Sequence, residues 1–127
     1  MGWVEMTSEM RPWRRLRFRV LSGWVERLRG LLGTGPDAEP VVLLRCGSIH
    51  TFGMTYPLDV AFVGERGEVL KVDRDLPPRR VSSCLGAWLV FERPASDEPW
   101  FEEGDILRLR AMGAEKAVEV ASGMGGA

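Results

Sequence analysis

The residues best suited to chemistry lie in one stretch, 46–59, which contains a thiol (Cys46), the only imidazole of the chain (His50) and a carboxylate (Asp59). A second thiol, Cys84, follows further along. Nucleophilic catalysis needs a thiolate, a base that generates it and a group that orients the base. This inventory allows a cysteine hydrolase. Neither cysteine begins a predicted helix, where the pKa of a thiol would fall. The simpler interpretation is therefore that both cysteines are small buried apolar residues.

The same four side chains could also bind a soft metal. Cys46, His50 and Cys84 are ligand types that zinc prefers, and Asp59 could supply a fourth ligand. The paired Cys-x-x-Cys spacing of a structural zinc site is absent from the sequence. We therefore expect no metal and no cofactor, and we favour a protein without catalysis. A metal- or thiol-dependent enzyme centred on these four residues is the alternative.

The central stretch also suggests a binding loop. Asp59 stands in an apolar run, and a bare buried carboxylate is costly, so we predict that it accepts hydrogen bonds from backbone N–H groups of residues 51–54. In that position it would organise the loop from Cys46 to Met54. His50 is interpreted as a hydrogen-bonded structural histidine. The candidates for ligand binding or loop organisation are His50, Thr51, Phe52, Gly53, Met54, Tyr56 and Asp59, and the aromatic and Met side chains among them would shape a small apolar pocket.

The segments around this loop alternate in hydrophobicity, which indicates half-buried strands. One helix is predicted over 22–33, with Ser22 as its N-cap and Gly33 at its C-terminus, and with Leu28 buried against the sheet. The predicted strands cover residues 15–20, 41–44, 58–63, 68–72, 81–85, 87–92, 106–111 and 117–120. Residues 58–63 and 68–72 form a hairpin, because Gly64-Glu-Arg-Gly67 supplies a turn.

These elements predict an α+β fold that is predominantly β. We expect a compact distorted barrel or an open sheet of about six to eight short strands, with the helix over 22–33 packed on it. A chain of 127 residues is long enough for one core and predicts a single domain. We assign 1–13 to an N-terminal arm, 14–121 to the domain and 122–127 to a flexible Gly-rich tail.

Charge and composition narrow the class of protein. The formal net charge is −1, so no global basic character points to nucleic acid. Residues 1–33 nevertheless carry seven Arg against three Glu, which suggests an accessory subunit that docks on a larger assembly or anionic surface through an Arg-rich face. No apolar run is long enough to span a membrane, and the N-terminus lacks the apolar core of a signal peptide, so we expect a cytoplasmic protein with reduced thiols.

Several segments resemble the DUF192 family, small prokaryotic proteins of unknown molecular function. Leu58-Asp-Val-Ala-Phe-Val63 and the Gly64–Val69 segment resemble its "pLDvvF-d-dG-V" core. Glu26–Gly33 is similar to "eR-rGLm", Ala87–Glu92 to "yvLEl", and Glu103–Ile106 to "i-Gd-v". Two departures are His50–Met54 in place of Trp-Met-Lys-Asn-Thr, and Arg93-Pro-Ala95 in place of "-aG". The resemblance implies no substrate and no catalytic residue. We expect a small binding or interaction module that uses loop 46–59 to recognise a small ligand or a protein.

Overall fold

The computed structural model describes residues 2–112 and 117–119, without the side chains at 12–14, 24, 25, 28, 112 and 117–119. Within these ranges the chain forms ten strands and one short helix. The elements are β1 (Trp3–Ser8), β2 (Arg11–Leu21), α1 (Trp24–Arg29), β3 (Val41–Leu44), β4 (Ser48–His50), β5 (Leu58–Gly64), β6 (Val69–Leu76), β7 (Val81–Ser83), β8 (Ala87–Pro94), β9 (Leu107–Met112) and β10 (Ala117–Glu119).

Eight of these strands form one mixed sheet in the order β10-β9-β1-β2-β3-β8-β5-β6, and β4 pairs with β7 in a separate two-stranded sheet. Among the described strands, only β2 and β3 pair in parallel, and the connection between them contains α1, as a parallel pair requires a crossover. The large sheet is not closed into a barrel. An isolated bridge, Glu68 to Ile106, joins the residue that precedes β6 to the residue that precedes β9. The predicted β-rich class is confirmed, and of its two forms the open sheet is the one found.

Because side chains alternate along each strand, the sheet has a hydrophobic core on part of each of its two faces. One carries the aromatic core, in which Phe18, Phe91, Trp100 and Phe101 pack with ring centroids 4.8–6.0 Å apart. The other carries what we call the loop-side core, which β4 and the following loop cover. Its main members are Leu31, Leu43, Ile49, Leu58, Val60 and Phe62.

Two expectations for the N-terminal third are wrong. Residues 3–8 are not an arm but an inner strand, paired with β2 on one side and β9 on the other, with Val4, Met6 and Ser8 buried. A helix over 22–33 is not supported, since only Trp24–Arg29 is helical. Gly30 ends it with φ of 50°, a left-handed value that favours glycine. The predicted packing through Leu28 and the tail 122–127 lie outside the described side chains and residues.

Candidate functional site

The central stretch lies over the loop-side core. Ser48–His50 pairs with Val81–Ser83, and this small sheet carries Ile49 into the core, followed by Met54 and Tyr56. Gly53 turns the chain with φ of 87°, and a Cβ there would lie 2.7 Å from Leu32 Cδ1. Both the backbone angle and the close approach therefore require glycine at this position.

Thr51 fixes this loop. Its side chain is fully buried, and its hydroxyl donates to Pro77 O at 2.7 Å while accepting from Arg80 N at 2.9 Å. Its backbone N–H donates to Arg80 O at 2.8 Å, and its carbonyl accepts from Met54 N at 3.1 Å. Segments 51–54 and 77–80 are therefore joined through one residue.

Asp59 does not organise this loop, so its predicted partners are wrong. The carboxylate is fully buried, and Arg93 Nε donates to Oδ2 at 2.9 Å while Arg74 Nε donates to Oδ1 at 3.1 Å. The backbone N–H groups of Asp75 (3.1 Å) and Ser96 (3.3 Å) complete the set. Asp59 thus accepts four hydrogen bonds, as a buried carboxylate should, but it joins 74–75 to 93–96 on the face of the aromatic core.

His50 and Phe52 lie on the surface of the loop. His50 is exposed, its Nδ1 accepts from Phe52 N at 3.2 Å, and the two ring centroids are 6.1 Å apart. Phe52 is 52% exposed, whereas Met54 and Tyr56 are buried. Tyr56 shares a hydrogen bond with the hydroxyl of Thr34. Of the three side chains expected to shape one pocket, Met54 and Tyr56 therefore lie in the loop-side core, whereas Phe52 lies on the surface.

The two thiols do not form a catalytic or metal group with His50 and Asp59. Cys46 Sγ donates to Ser48 O at 3.2 Å and Cys84 Sγ to Leu85 O at 3.7 Å. Burial raises the pKa of the Cys46 thiol, which disfavours the thiolate that a nucleophile needs. Among the described residues, no three His, Cys, Asp or Glu side chains converge as metal ligands.

Sequence reasoning missed Glu92, a carboxyl in the centre of β8 that is only 3% exposed. It faces a cleft of about 60 Å³ between the 27–31 segment and the central stretch. The cleft walls include two arginines, Arg27 and Arg29, together with Leu31, Ser48, His50, Met54 and Leu58. Gly30 passes so close that a Cβ would lie 3.0 Å from Glu92 Oε1, so a side chain at position 30 would crowd the carboxyl.

Burial raises the pKa of Glu92 to about 7. Burial is the sole cause, because no hydrogen bond or ion pair from the described residues reaches the carboxyl. A buried carboxyl with a pKa near neutrality, facing a cleft, is a common feature of functional sites. One signal was present in the sequence: Glu92 is a lone acid after the apolar run Trp88-Leu-Val-Phe91.

A second surface, the basic face, consists of Arg15, Arg17 and Arg19 on β2 and Arg108 and Arg110 on β9. These side chains share one side of the sheet because Arg15 and Arg108 both flank Thr7, and Arg17 and Arg110 both flank Glu5. Glu5 and Glu9 pair with the β9 arginines at 3.4 and 2.9 Å. The predicted Arg-rich face therefore extends from β2 to β9.

Comparisons with known proteins give the fold alone. No family model matches the chain, and no curated protein matches it. A solved structure of a protein of unknown function from Novosphingobium aromaticivorans DSM 12444 is 21% identical, with 83% of this chain and 82% of that chain covered and a TM-score of 0.66. A putative transcription regulator from Sinorhizobium meliloti 1021 is 18% identical, with 84% and 91% covered and a TM-score of 0.67. Among the described residues, no helix is long and apolar enough to cross a membrane.

Proposed function

We propose that this protein is a small non-catalytic binding protein that recognises its ligand at the Glu92 cleft. A single observation carries the proposal: a buried carboxyl faces this cleft without a partner from the described part of the chain. A carboxyl removed from water and left unmatched costs free energy, and a ligand that donates hydrogen bonds to it offsets that cost. The central stretch supplies the wall through Ser48, His50 and Met54, in agreement with the expected recognition loop.

The cleft favours a small, neutral N–H-bearing group, because Arg27 and Arg29 also line it and would repel a cation. Its volume of about 60 Å³ accepts an amide head group rather than a whole metabolite. The apolar walls, Leu31 and Leu58, keep water from competing with such a group. A peptide or small molecule would place this group in the cleft and lie against His50, whose ring centroid is 6.1 Å from that of the exposed Phe52.

A fragment screen by ligand-observed NMR tests the proposal, with primary amides, lactams and ureas as probes. We expect fragments of these classes to bind the wild type, and to bind Glu92→Gln about tenfold more weakly, because a charge-assisted hydrogen bond contributes about 1.5–3 kcal/mol. Glu39→Gln removes an exposed carboxylate and should bind like the wild type. Equal binding by Glu92→Gln, or no binding by any of these fragments, would exclude this site.

The enzymatic alternative receives less support. A thiol-dependent reaction at Cys46 would need a depressed pKa, and burial shifts the pKa of this thiol upward. Asp59 cannot orient His50, since its carboxylate lies on the face of the aromatic core and is occupied by Arg74 and Arg93.

The basic face supports a second candidate function, docking on an anionic partner. Five arginines occupy it against two glutamates, and the neighbour from Sinorhizobium meliloti carries the name of a transcription regulator. Single-stranded oligonucleotide binding, measured by fluorescence anisotropy at several salt concentrations, tests it. Binding that weakens with salt and is lost in Arg15→Ala/Arg17→Ala/Arg19→Ala would support this function. Absence of binding at low salt would exclude nucleic acid as the partner.

Membership of the DUF192 family is also a proposal. Its support is the order of the similar segments, from Glu26–Gly33 through Leu58–Val63 to Glu103–Ile106. In this chain the "yvLEl"-like segment carries Glu92, so the proposed site would lie in one of the family's characteristic segments. The corresponding Glu→Gln substitution in a second protein with the same segments, screened with the same fragments, would test whether the site is shared.

A further inference from the structure

A large pocket lies at one end of the aromatic core and has a volume of about 610 Å³. The β5–β6 turn (64–67) and the start of β9 form one wall, and strands β1, β2, β3 and β8 supply the rest. Ligand pockets in proteins measure about 300–1,000 Å³. The pocket lies within this range and therefore has room for a whole small molecule. Its volume is about ten times that of the Glu92 cleft.

The floor of this pocket is aliphatic. Val4, Leu89 and Leu109 belong to the aromatic core and keep 7–8% of their surface exposed, because the pocket leaves them uncovered. Leu44 extends the floor from β3. Trp88 (44% exposed) and Ile106 (37% exposed) stand at the mouth. An apolar ligand would therefore bury both the floor and the two exposed side chains, which is the main driving force of such binding.

The charges around the pocket balance each other. Glu9, Glu65, Arg66 and Arg108 contribute two negative and two positive groups. Arg108 Nη2 already pairs with Glu9 Oε2 at 2.9 Å, and Arg66 is adjacent to Glu65. A charged ligand would gain no net attraction and would have to give up water on entering, so the pocket favours an uncharged one.

We propose that this pocket binds an uncharged, apolar small molecule, aliphatic or aromatic, independently of the Glu92 cleft. Independence follows from the sheet. Leu89 lies on the face of the aromatic core, whereas Glu92 lies on the opposite face, which carries the loop-side core. The two sites therefore have separate walls and different ligand chemistry.

Binding of the neutral fluorophore N-phenyl-1-naphthylamine to the full chain tests this proposal. We expect saturable binding, and Leu44→Trp should weaken it about tenfold or more, because the indole ring would occupy space that the ligand needs. Leu85→Trp adds the same ring at a fully exposed position and should leave affinity unchanged. Trp88→Ala, a surface truncation, should weaken binding without loss of fold. Glu92→Gln should leave it unchanged.

A matched pair of competitors tests the charge argument. 1-Octanol should displace the fluorophore at lower concentration than octanoate, because only the alcohol enters without bringing a charge. Absence of saturable binding would overturn the proposal, as would equal weakening by Leu44→Trp and Leu85→Trp. Stronger displacement by octanoate would overturn the assignment to uncharged ligands. Loss of fluorophore binding in Glu92→Gln would show that the two sites are not independent.

Discussion

Two buried carboxyl groups of this protein occupy neighbouring strands, and their surroundings are opposite. The β5–β8 register places Asp59 opposite Arg93 and Val60 opposite Glu92. Because consecutive residues point to opposite faces, Asp59 faces the aromatic core side and Glu92 the loop-side core. Asp59 accepts four hydrogen bonds, two of them from arginines, whereas Glu92 faces a cleft and receives none from the described residues.

The difference separates a structural acid from one available for binding. The bonds of Asp59 join its own strand to segments 74–75 and 93–96 and leave its oxygens no capacity for a ligand. Glu92 contributes nothing of this kind, and its burial is a cost to folding rather than a gain. A protein retains such a group at a cost in stability, which is typical of functional sites. Removing each carboxyl in turn should therefore have opposite effects on stability.

Asp59→Asn should produce the largest effect. The substitution keeps the shape but leaves Arg93, whose side chain is 9% exposed, without its counter-ion. Breaking a buried ion pair from one side costs about 3–5 kcal/mol, so the free energy of unfolding should fall by that amount in urea denaturation. Asp97→Asn, at an exposed position, is the control. A loss below about 1 kcal/mol would mean that Asp59 is not the structural acid of the pair.

Glu92→Gln should instead stabilise the protein above neutral pH. Since the folded-state pKa is raised from 4.5 to about 7, the folded state holds this proton more tightly than the unfolded state. The penalty is absent below pH 4.5, grows as the pH rises towards 7, and is complete above it at about 3 kcal/mol.

The pH dependence of the difference between the two proteins isolates this effect, because all other groups cancel. The free energy of unfolding of Glu92→Gln minus that of the wild type should be near zero at pH 4 and rise to its maximum by pH 8. If this difference in free energy did not change with pH, burial of the charged Glu92 carboxylate would not destabilise the folded protein.

Thr51→Val should lower the free energy of unfolding by an intermediate amount, and the loss of protection should be confined to the two segments that Thr51 joins. The variant keeps the shape but leaves Arg80 N and Pro77 O without the hydroxyl, at a cost of about 1–3 kcal/mol. In Thr51→Val, hydrogen exchange should accelerate at 51–54 and 77–80. In Asp59→Asn, exchange should instead accelerate at 74–75 and 95–96, while 51–54 and 77–80 stay protected. Thr55→Val, an exposed change, is the control. Faster exchange at 51–54 in Asp59→Asn alone would restore the original assignment of Asp59 to this loop.

The smallest effect should appear at Cys46. The negative charge of Glu92 contributes to the raised pKa of this thiol, after burial. Glu92→Gln should therefore increase the rate of Cys46 alkylation by iodoacetamide at pH 8, by about twofold, because the thiolate fraction rises. Cys84 serves as an internal reference, measured by peptide mass spectrometry. An unchanged ratio of the two rates would place Glu92 outside the electrostatic reach of Cys46.

The strands that were predicted correctly have local signals. Arg15–Val20 alternates strictly, and the β5–β6 hairpin has glycines at both ends of its turn. β1 was missed because its alternation is short: only three residues, Val4, Met6 and Ser8, are buried at every second position. The spacing of Met6 and Met10 also fits a helix. The helix was extended too far because its end was assigned to Gly33, although Gly30 has the left-handed backbone that ends it.

The site was less predictable because its contacts are distant in sequence. The sequence does predict that Asp59 accepts hydrogen bonds, because it is a single carboxylate within an apolar strand. Its partners, Arg93 and Ser96, lie 34 and 37 residues away and are selected by strand order, which no local pattern reveals. Glu92 carries the same signal as Asp59, and only the packing of Gly30 and the central stretch distinguishes the two acids.

The protonation of Glu92 tests the central claim most directly. Carbon-13 NMR of the glutamate carboxyl carbons, with the Glu92 signal assigned by its absence in Glu92→Gln, follows this group through a pH titration. A midpoint of about 7 is predicted, since burial alone sets the pKa. A midpoint near the ordinary value of 4.5 would show that the carboxyl is solvated or already paired, and would contradict a binding site at the Glu92 cleft.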